Sequence, residues 1–311
     1  MRCDASEPST VIAIDGGGTT TRVRLYSTEG VALGEGRAGP SGLSLGVGQA
    51  WHQIEHALVQ ALQQAGLDSA ALCRMPVSAS LAGASSEARV REFIACGSAY
   101  SEVRVHSDVL AAHIGAFDGG PGVVLVAGTG SVALMRSRDG STRRAGGWGF
   151  PDGDEGGGAW LGMQAINATE RALDGRAPTG PLVEQVGRAL AGQIGADSGP
   201  ADMSAVVRQW RQQSSQTTYA ALAPLVFDAE KQDPAAADLI DRAAAELRRL
   251  VLAVDPREHL DLVLVGSVGR RLLAARPGAV SGRIASPVAD ALGGAFRLWR
   301  EAAANRRAEN P

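Results

Sequence analysis

Three consecutive glycines between two strand patterns constrain this chain more than any other feature. Residues 11–14 are apolar, Asp15 follows, Gly16–Gly18 come next, and a second strand pattern runs from Thr20 to Ser27. Glycine can turn with positive φ and lets a ligand approach the backbone without obstruction by a side chain. Successive bare amide groups in such a turn attract anions, phosphate above all. The segment predicts an anion-binding strand–turn–strand unit, and a plain glycine-rich hairpin is the alternative.

Length and composition indicate a globular protein with room for two domains. The chain has 311 residues, of which 45% are hydrophobic and 20% are charged, and this length accommodates two domains of ordinary size. The formal net charge is −3, and no cluster of Lys and Arg offers the basic surface that nucleic-acid binding requires. No stretch approaches the roughly 20 apolar residues of a membrane span. We therefore expect no nucleic-acid partner and no membrane segment.

The N-terminus and the cysteines indicate in which cellular compartment the protein is expected. Residues 1–10 are polar and contain no apolar signal core. Cys3, Cys73 and Cys96 show no C-x-x-C spacing, so neither a disulfide framework nor a zinc site is indicated. We expect a cytoplasmic protein.

Lysine is almost absent, and this limits how the chain could hold a nucleotide. Lys231 is the only lysine. A Walker A loop needs Gly-Lys-Ser/Thr, and a protein kinase needs a lysine on a strand; Lys231 fits neither pattern. If the protein binds ATP, backbone amides, hydroxyl groups and a metal ion must hold the phosphates.

The plan of the first segment recurs later in the chain. Val123–Ala127 is an apolar strand pattern, Gly128–Ser131 is a polar turn, and Val132–Arg136 reads as a returning strand. Two such units predict a duplicated α/β architecture. The turn cluster at 118–122 predicts the boundary between two domains, 1–117 and 118–286. A last helix at 287–304 is expected to rejoin the first domain, and residues 305–311 to form a flexible tail.

Four features in chain order resemble the sugar kinase, Hsp70 and actin superfamily. They are Asp15–Thr19, Ser107-Asp108, Ala127–Ser131 and Val265–Gly269. In that superfamily two phosphate hairpins and a late adenosine loop surround ATP. The resemblance implies an α/β fold of two ribonuclease-H-like, actin-like ATPase domains, with the active site in the interdomain cleft.

The segment Gly146–Gly158 narrows the resemblance. Its Gly-Gly-Trp-Gly and Gly-Asp-Glu-Gly sequences are similar to those of N-acetylglucosamine kinases in the BadF/BadG/BcrA/BcrD ATPase family, and the second half also resembles bacterial glucosamine kinases. This implies Mg²⁺-dependent transfer of the ATP γ-phosphoryl group to the 6-hydroxyl of an amino sugar. N-acetylglucosamine is the expected sugar because of Trp148, and glucosamine is the alternative. A homodimer is left open.

The resemblance also implies a role for individual residues. Asp108 would be the general base and a sugar contact, with a helix N-cap as the alternative reading. Asp15 would hold Mg²⁺, either through water or directly. The residues expected to contact phosphate are Gly16, Gly17, Gly18, Thr19, Gly128, Thr129, Gly130 and Ser131. Those expected beside adenosine are Gly266, Ser267 and Gly269, and those expected beside the sugar are Ser41, Gly42, Gly147, Trp148 and Asp154.

One position departs from the pattern of the family. Many relatives carry an asparagine that contacts sugar hydroxyls in the loop that is Gly39–Gly42 here. Gly42 stands at the matching position and has no side-chain amide, so Ser41 or a backbone group is expected to take its place.

Two other functions remain open at this stage. An ATPase activator of a 2-hydroxyacyl-CoA dehydratase or benzoyl-CoA reductase shares the fold but needs cysteine ligands for an iron–sulfur cluster, and the spacing of the cysteines does not favour one. A sugar-responsive repressor needs an N-terminal helix-turn-helix, for which a first strand beginning at Val11 leaves no room.

Overall fold

The structure is a computed structural model that describes residues 9–195, 202–280 and 283–309. Within these residues the chain divides into two compact units. The first unit takes in the chain up to Gly122, the segment Arg136–Ser141 and the chain from Ser286 onward, and the second contains Val123–Met135 and Thr142–Ala285. The bounds 1–117 and 118–286 remain a prediction about domains.

A five-stranded sheet in the order β3-β2-β1-β4-β5 forms the centre of the first unit. Its strands are β1 (Thr10–Gly16), β2 (Thr21–Ser27), β3 (Ala32–Ala38), β4 (Pro76–Leu81) and β5 (Glu102–Ser107). β2 is antiparallel to β1 and β3, whereas β1, β4 and β5 are parallel. The register pairs Gly16 with Leu81 and Leu81 with Ser107. The carboxyl ends of three parallel strands therefore meet at one edge of the sheet.

Helices cover both faces of this sheet because the side chains of β1 alternate between them. Ile12 and Ile14 share a buried cluster with α1, whereas Val11 and Ala13 share another with the last helix. The helices of this unit are α1 (Val47–Ala65), α2 (Glu87–Cys96) and α3 (Asp108–Phe117), together with the last helix described below. Val47, Trp51, Ile54, Leu58 and Leu62 lie on one face of α1 and are all buried.

A second five-stranded sheet, in the order β10-β9-β6-β7-β8, forms the centre of the second unit. Its strands are β6 (Gly122–Ala127), β7 (Ser131–Arg136), β8 (Thr142–Gly146), β9 (Asp261–Val265) and β10 (Arg283–Ile284). β6, β9 and β10 are parallel, and Val126 pairs with Val265. The turn after β6 and the turn after β9 therefore begin side by side.

Helices α4 to α10 complete the second unit. They are α4 (Gly158–Leu173), α5 (Pro181–Ile194), α6 (Met203–Gln212), α7 (Gln216–Ala220), α8 (Ala223–Ala229), α9 (Pro234–Val254) and α10 (Ser267–Ala275). Asp233 caps two of them at once, since it accepts hydrogen bonds from Ala235 N–H at 2.9 Å and Leu182 N–H at 2.8 Å. One buried carboxylate thus accepts a hydrogen bond from the first turn of both α9 and α5, where amide groups have no partner within the helix.

The last helix, α11, spans Ala291–Glu309, so the predicted bounds 287–304 are wrong at both ends. It starts late because Val288 and Ala289 donate instead to the carbonyl groups of Ala116 and Gly115, and because Asp290 accepts from Gly293 N–H at 3.0 Å in the manner of an N-cap. It continues through 305–309, which were expected to be a tail. Residues 310–311 lie outside the described part of the chain.

The predicted α/β fold of two actin-like domains is confirmed in its class by these two mixed sheets of five strands. None of the described helices is both long and apolar enough to cross a membrane. Cys96 is free and exposed. Cys3 lies outside the described residues.

Candidate active site

The first glycine turn joins β1 to β2, and its three glycines differ in what surrounds them. A hydrogen bond from Gly17 N–H to Thr20 C=O closes the turn at 3.0 Å. A Cβ at Gly16 would overlap Ser41 Oγ and lie 2.6 Å from Leu81 Cδ2, whereas a Cβ at Gly18 would meet nothing within 4 Å. Gly16 is therefore required by packing, and the outer part of the turn, with the exposed Thr19, is open to a ligand.

Asp15 lies next to the last residue of β1, beside this turn, and forms a salt bridge with Arg22. Arg22 lies opposite it on β2, and Arg22 Nη2 donates to Asp15 Oδ2 at 2.8 Å. Burial lowers the pKa of Arg22, but its hydrogen bonds and charge interactions with Asp15 and Asp290 outweigh this effect and raise the pKa above its ordinary value. Arg22 is thus a permanent positive charge beside the predicted magnesium residue.

Asp108 lies at the same sheet edge, where β5 turns into α3. It is the first residue of the helix, and the N-cap is Ser107, whose Oγ accepts from Leu110 N–H at 3.4 Å. Asp108 Oδ1 accepts from Val109 N–H at 2.8 Å. Because β1 and β5 are separated by one strand, their backbones lie roughly 10 Å apart. The fold therefore gathers Asp15, the glycine turn and Asp108, and the capping role goes to Ser107.

The loop with the missing asparagine packs directly on the first glycine turn. Both Ser41 N–H and Gly42 N–H donate to Gly17 C=O, at 3.2 and 3.0 Å. Ser41 is completely buried, and its Oγ accepts from Thr21 Oγ1 at 2.7 Å. The side chain of Ser41 therefore supports the turn and does not reach the surface.

The second glycine turn, between β6 and β7, is held by the start of α4. Gly158 N–H donates to Gly128 C=O at 2.8 Å, and Ala159 N–H donates to Thr129 C=O at 2.9 Å. A Cβ at Gly128 would meet nothing within 4 Å, but a Cβ at Gly130 would overlap the carboxylate of Asp154. As in the first turn, one glycine is open and another is required by packing.

Asp154 is a buried carboxylate that ties the predicted sugar segment to this second turn. It is only 6% exposed and has a φ of +62°. Burial raises the pKa of Asp154, although backbone N–H groups of Ser131 and Gly149 and the side chain of Gln216 donate to it. Gln216 Nε2 lies 3.0 Å from Asp154 Oδ2. Gln216 has no sequence signal that would have revealed this contact.

Trp148 and Gly147 lie on the same segment with very different surroundings. Trp148 is 89% exposed, so it does not anchor the core. Gly147 N–H donates to Ser131 C=O at 2.9 Å, which fixes the segment against the second turn. Ser131 itself is buried, and its Oγ donates to Glu155 C=O at 2.6 Å.

The third loop, after β9, packs against the second turn. Gly266 has a φ of +104°, and a Cβ there would overlap Ala127 C=O and lie 3.0 Å from Gly128 N. Gly269 is buried, with Ala127 Cβ at 3.5 Å from its would-be Cβ, and Ser267 is exposed. The second unit therefore brings the predicted adenosine loop, phosphate turn and sugar segment together.

The edge of the first sheet, with Asp15 beside the first glycine turn, suits Mg²⁺ as a partly hydrated ion. Mg²⁺ is usually held by one or two carboxylates, waters and phosphate oxygens. Asp15 is such a carboxylate, with a side chain 25% exposed. Within residues 9–195, 202–280 and 283–309, no group of three or more His, Cys, Asp or Glu side chains forms a cation cage. Asp15 is the residue that would hold the ion.

Comparison with known proteins identifies the family. The sequence pattern of the BadF/BadG/BcrA/BcrD ATPase family matches residues 12–285. The chain belongs to this family, as its glycine turns and Gly-Asp-Glu-Gly segment predicted.

Two curated relatives and one solved structure are similar to this chain. The glucosamine kinase GspK of Vibrio cholerae is 29% identical over 286 residues, which cover 92% of this chain and 94% of that protein. The N-acetylmuramic acid/N-acetylglucosamine kinase of Clostridium acetobutylicum is 28% identical over 170 residues, 53% of this chain and 55% of its own length. A Chromobacterium violaceum structure, provisionally named N-acetylglucosamine kinase, has a TM-score of 0.84 and 34% identity, covering 94% of this chain and 99% of its own.

Proposed function

We propose that this protein is an ATP-dependent amino-sugar kinase that converts N-acetylglucosamine to N-acetylglucosamine 6-phosphate. The observation that carries the proposal is the edge of the first sheet, where Asp108, Asp15 and the open glycine turn follow the ends of parallel strands. The names of the two curated relatives, both kinases that act on amino sugars, support the class of substrate. Glucosamine is the second candidate because GspK aligns over most of both chains.

Asp108 would act as the general base. The sugar 6-oxygen attacks the γ-phosphorus, the bond from phosphorus to the ADP oxygen breaks, and Asp108 accepts the hydroxyl proton. A carboxylate within hydrogen-bond reach of the hydroxyl suits this role. Asp108 Oδ1 accepts from Val109 N–H at 2.8 Å, which fixes the orientation of the carboxylate.

The phosphates would be bound mainly by backbone amides. Gly17 N–H and Gly128 N–H close their own turns, by donating to Thr20 C=O and Gly130 C=O at 3.0 Å each. Gly17 and Gly128 would therefore let phosphate approach the backbone, and Gly18, Thr19 and Thr129 would face it from the open side of the turns. Gly16, Gly130 and Ser131 would support those turns from behind. Asp15 would hold Mg²⁺ through water, since Arg22 already balances its charge. When bound, the ion supplies positive charge to the phosphate oxygens. Gly266, Ser267 and Gly269 would lie beside adenosine.

The sugar would be recognised by the exposed Trp148 and by the loop at Gly42. An indole face suits the apolar face of a pyranose or an acetyl methyl group. Gly147 would form the wall beside the 2-substituent. Asp154 would act on the sugar through the segment that it holds, because its carboxylate is buried and already bonded by Gln216.

Replacing Trp148 by alanine should weaken binding of the N-acetylated sugar selectively. Because the side chain is 89% exposed, the variant should keep the melting temperature of the wild type. Loss of one stacking contact, worth about 0.5–1.5 kcal/mol, should raise KM for N-acetylglucosamine about 2- to 12-fold and change KM for glucosamine less. Steady-state kinetics with both sugars checks this, and an equal effect on the two would contradict a role at the 2-substituent.

Restoring the asparagine at position 42 should improve sugar binding. Gly42 has φ −59° and ψ 135°, which any residue adopts, and a Cβ there would have only ordinary contacts at 3.5 and 3.6 Å. One added hydrogen bond contributes about 0.5–1.5 kcal/mol, so Gly42→Asn should lower KM about 2- to 12-fold. Gly42→Ala is the matched control and should leave KM unchanged. A higher KM in Gly42→Asn alone would show that no sugar hydroxyl faces this position.

The alternative function, as an ATPase activator of a dehydratase or reductase, can be tested directly by the iron content of the protein. An anaerobically purified sample that contains stoichiometric iron would favour the dehydratase or reductase activator over the kinase. We assign the protein to the cytoplasm, where ATP is available. A homodimer and the lack of a nucleic-acid partner remain predictions from the sequence.

A further inference from the structure

Arg22 connects the predicted magnesium carboxylate to the start of the last helix. Its Nε and Nη2 both donate to Asp15 Oδ2, at 3.3 and 2.8 Å. Its Nη1 donates to Asp290 Oδ2 at 2.9 Å. One guanidinium group therefore joins the end of β1 to the residue that caps α11.

This arrangement determines which oxygen of Asp15 faces away from the arginine. Both hydrogen bonds from Arg22 end on Oδ2, so the second oxygen, Oδ1, is the one presented to another ligand. A guanidinium group is planar and holds several donors in a fixed fork, which orients a carboxylate in a way that a flexible ammonium group does not. The side chains of Asp15 and Arg22 are each 25% exposed, so water screens this pair only in part.

Asp290 is itself fixed from several sides. Arg24 Nη2 donates to Asp290 Oδ2 at 3.0 Å, and Gly293 N–H donates to Asp290 Oδ1 at 3.0 Å. Arg24 also bonds Glu35 Oε2 at 2.7 Å. Arg22 is thus anchored to a carboxylate that α11 and a neighbouring arginine hold in place.

We propose that Arg22, anchored by Asp290, is a positioning residue that orients Asp15 toward the magnesium–nucleotide complex. This rests on the proposed function, because that function supplies the metal and the nucleotide. The sequence already contained part of the signal, since Asp15 and Arg22 flank the turn and a regular hairpin pairs them. Asp290, far along the chain, could not be found in that way.

The test measures binding and not turnover. A fluorescent ADP analogue is titrated against the full chain over a series of Mg²⁺ concentrations, with Asp15→Asn as the reference for complete loss. Partners that orient metal ligands typically contribute 10- to 100-fold to metal affinity, so Arg22→Gln should raise the half-saturating Mg²⁺ concentration by about tenfold or more. Arg22→Lys should fall between wild type and Arg22→Gln, because it keeps the charge but not the fork.

Arg24→Gln is the matched control. Arg24 lies on the same strand and also bonds Asp290, but its hydrogen bonds go to Glu35, Tyr26 and Asp290 and not to Asp15. It should lose thermal stability as Arg22→Gln does but shift the Mg²⁺ dependence far less, because Asp290 keeps its hydrogen bonds from Arg22 and Gly293 N–H. Asp290→Asn should shift this dependence in the same direction as Arg22→Gln while α11 stays capped, since Asn and Asp cap helices about equally well. If Arg22→Gln does not fold, Arg22→Lys and Asp290→Asn carry the test.

Three results would overturn the proposal. One is a wild-type Mg²⁺ dependence in the Arg22 variants, and another is an equal shift in Arg24→Gln, which would indicate a general structural effect. The third is tighter Mg²⁺ binding without Arg22, which would make the arginine a competitor of the metal. If the wild type binds no nucleotide with Mg²⁺, the proposed function fails first and the positioning role fails with it.

Discussion

Asp108→Asn should lower kcat by roughly 10²- to 10⁴-fold while ATP and sugar affinity change little. An asparagine has nearly the same shape, and its Oδ1 can still accept the hydrogen bond that Val109 N–H gives to Asp108 Oδ1 at 2.8 Å. What it lacks is the basicity to accept a proton from the sugar hydroxyl. Equilibrium binding of both substrates, measured beside single-turnover rates, separates these effects.

Ser107→Ala is the control for this prediction because it tests helix capping without touching the carboxylate. Ser107 is the N-cap of α3, and losing such a cap costs about 1 kcal/mol of stability. We expect a lower melting temperature and a turnover close to wild type. Near-normal turnover in Asp108→Asn would rule out the general base, whatever the result with Ser107→Ala.

Gly128→Ala should fold normally and lose ATP affinity by about 10- to 100-fold. A Cβ at this glycine meets nothing within 4 Å, so nothing in the protein opposes the added methyl group. A phosphate group approaching the amides of the turn would meet it, and hydrogen bonds to a charged group contribute about 1.5–3 kcal/mol each. The measurement is the KM and Kd for Mg²⁺-ATP together with the melting temperature.

Two other glycine variants show whether the effect belongs to the ligand. Gly192→Ala in α5 also adds a methyl group with nothing within 4 Å, and it should leave ATP affinity unchanged. Gly130→Ala would overlap the carboxylate of Asp154 and should lower stability as well as binding. Unchanged ATP affinity in Gly128→Ala would mean that the second turn does not bind phosphate.

Much of the fold could be predicted from the sequence because its signals are local. The apolar strand before the three glycines and the apolar strand before Gly128–Ser131 each specify their own backbone over a few residues. The recurrence of strand, glycine turn and strand gave the two-sheet architecture. The bounds of α11 could not be predicted in this way, since its start depends on hydrogen bonds from Val288 and Ala289 to the distant α3.

The candidate site was predictable in its loops and less so in the roles of single residues. The sequence pattern treats the glycines of each turn alike, yet Gly16 and Gly130 face packed side chains while Gly18 and Gly128 face open space. Ser41 is a small polar residue in the right loop, and only the fold shows that it is buried. Contacts between distant segments, such as Gln216 with Asp154, leave no local pattern.

The most direct test of the central claim is a coupled ADP-release assay with Mg²⁺-ATP over a panel of N-acetylglucosamine, glucosamine, glucose and no sugar. We expect ADP release that depends on an amino sugar, with the highest kcat/KM for N-acetylglucosamine and a 6-phosphate as the product. Preference for glucosamine would keep the kinase and change the sugar. ADP release that is independent of every sugar would rule out a sugar kinase.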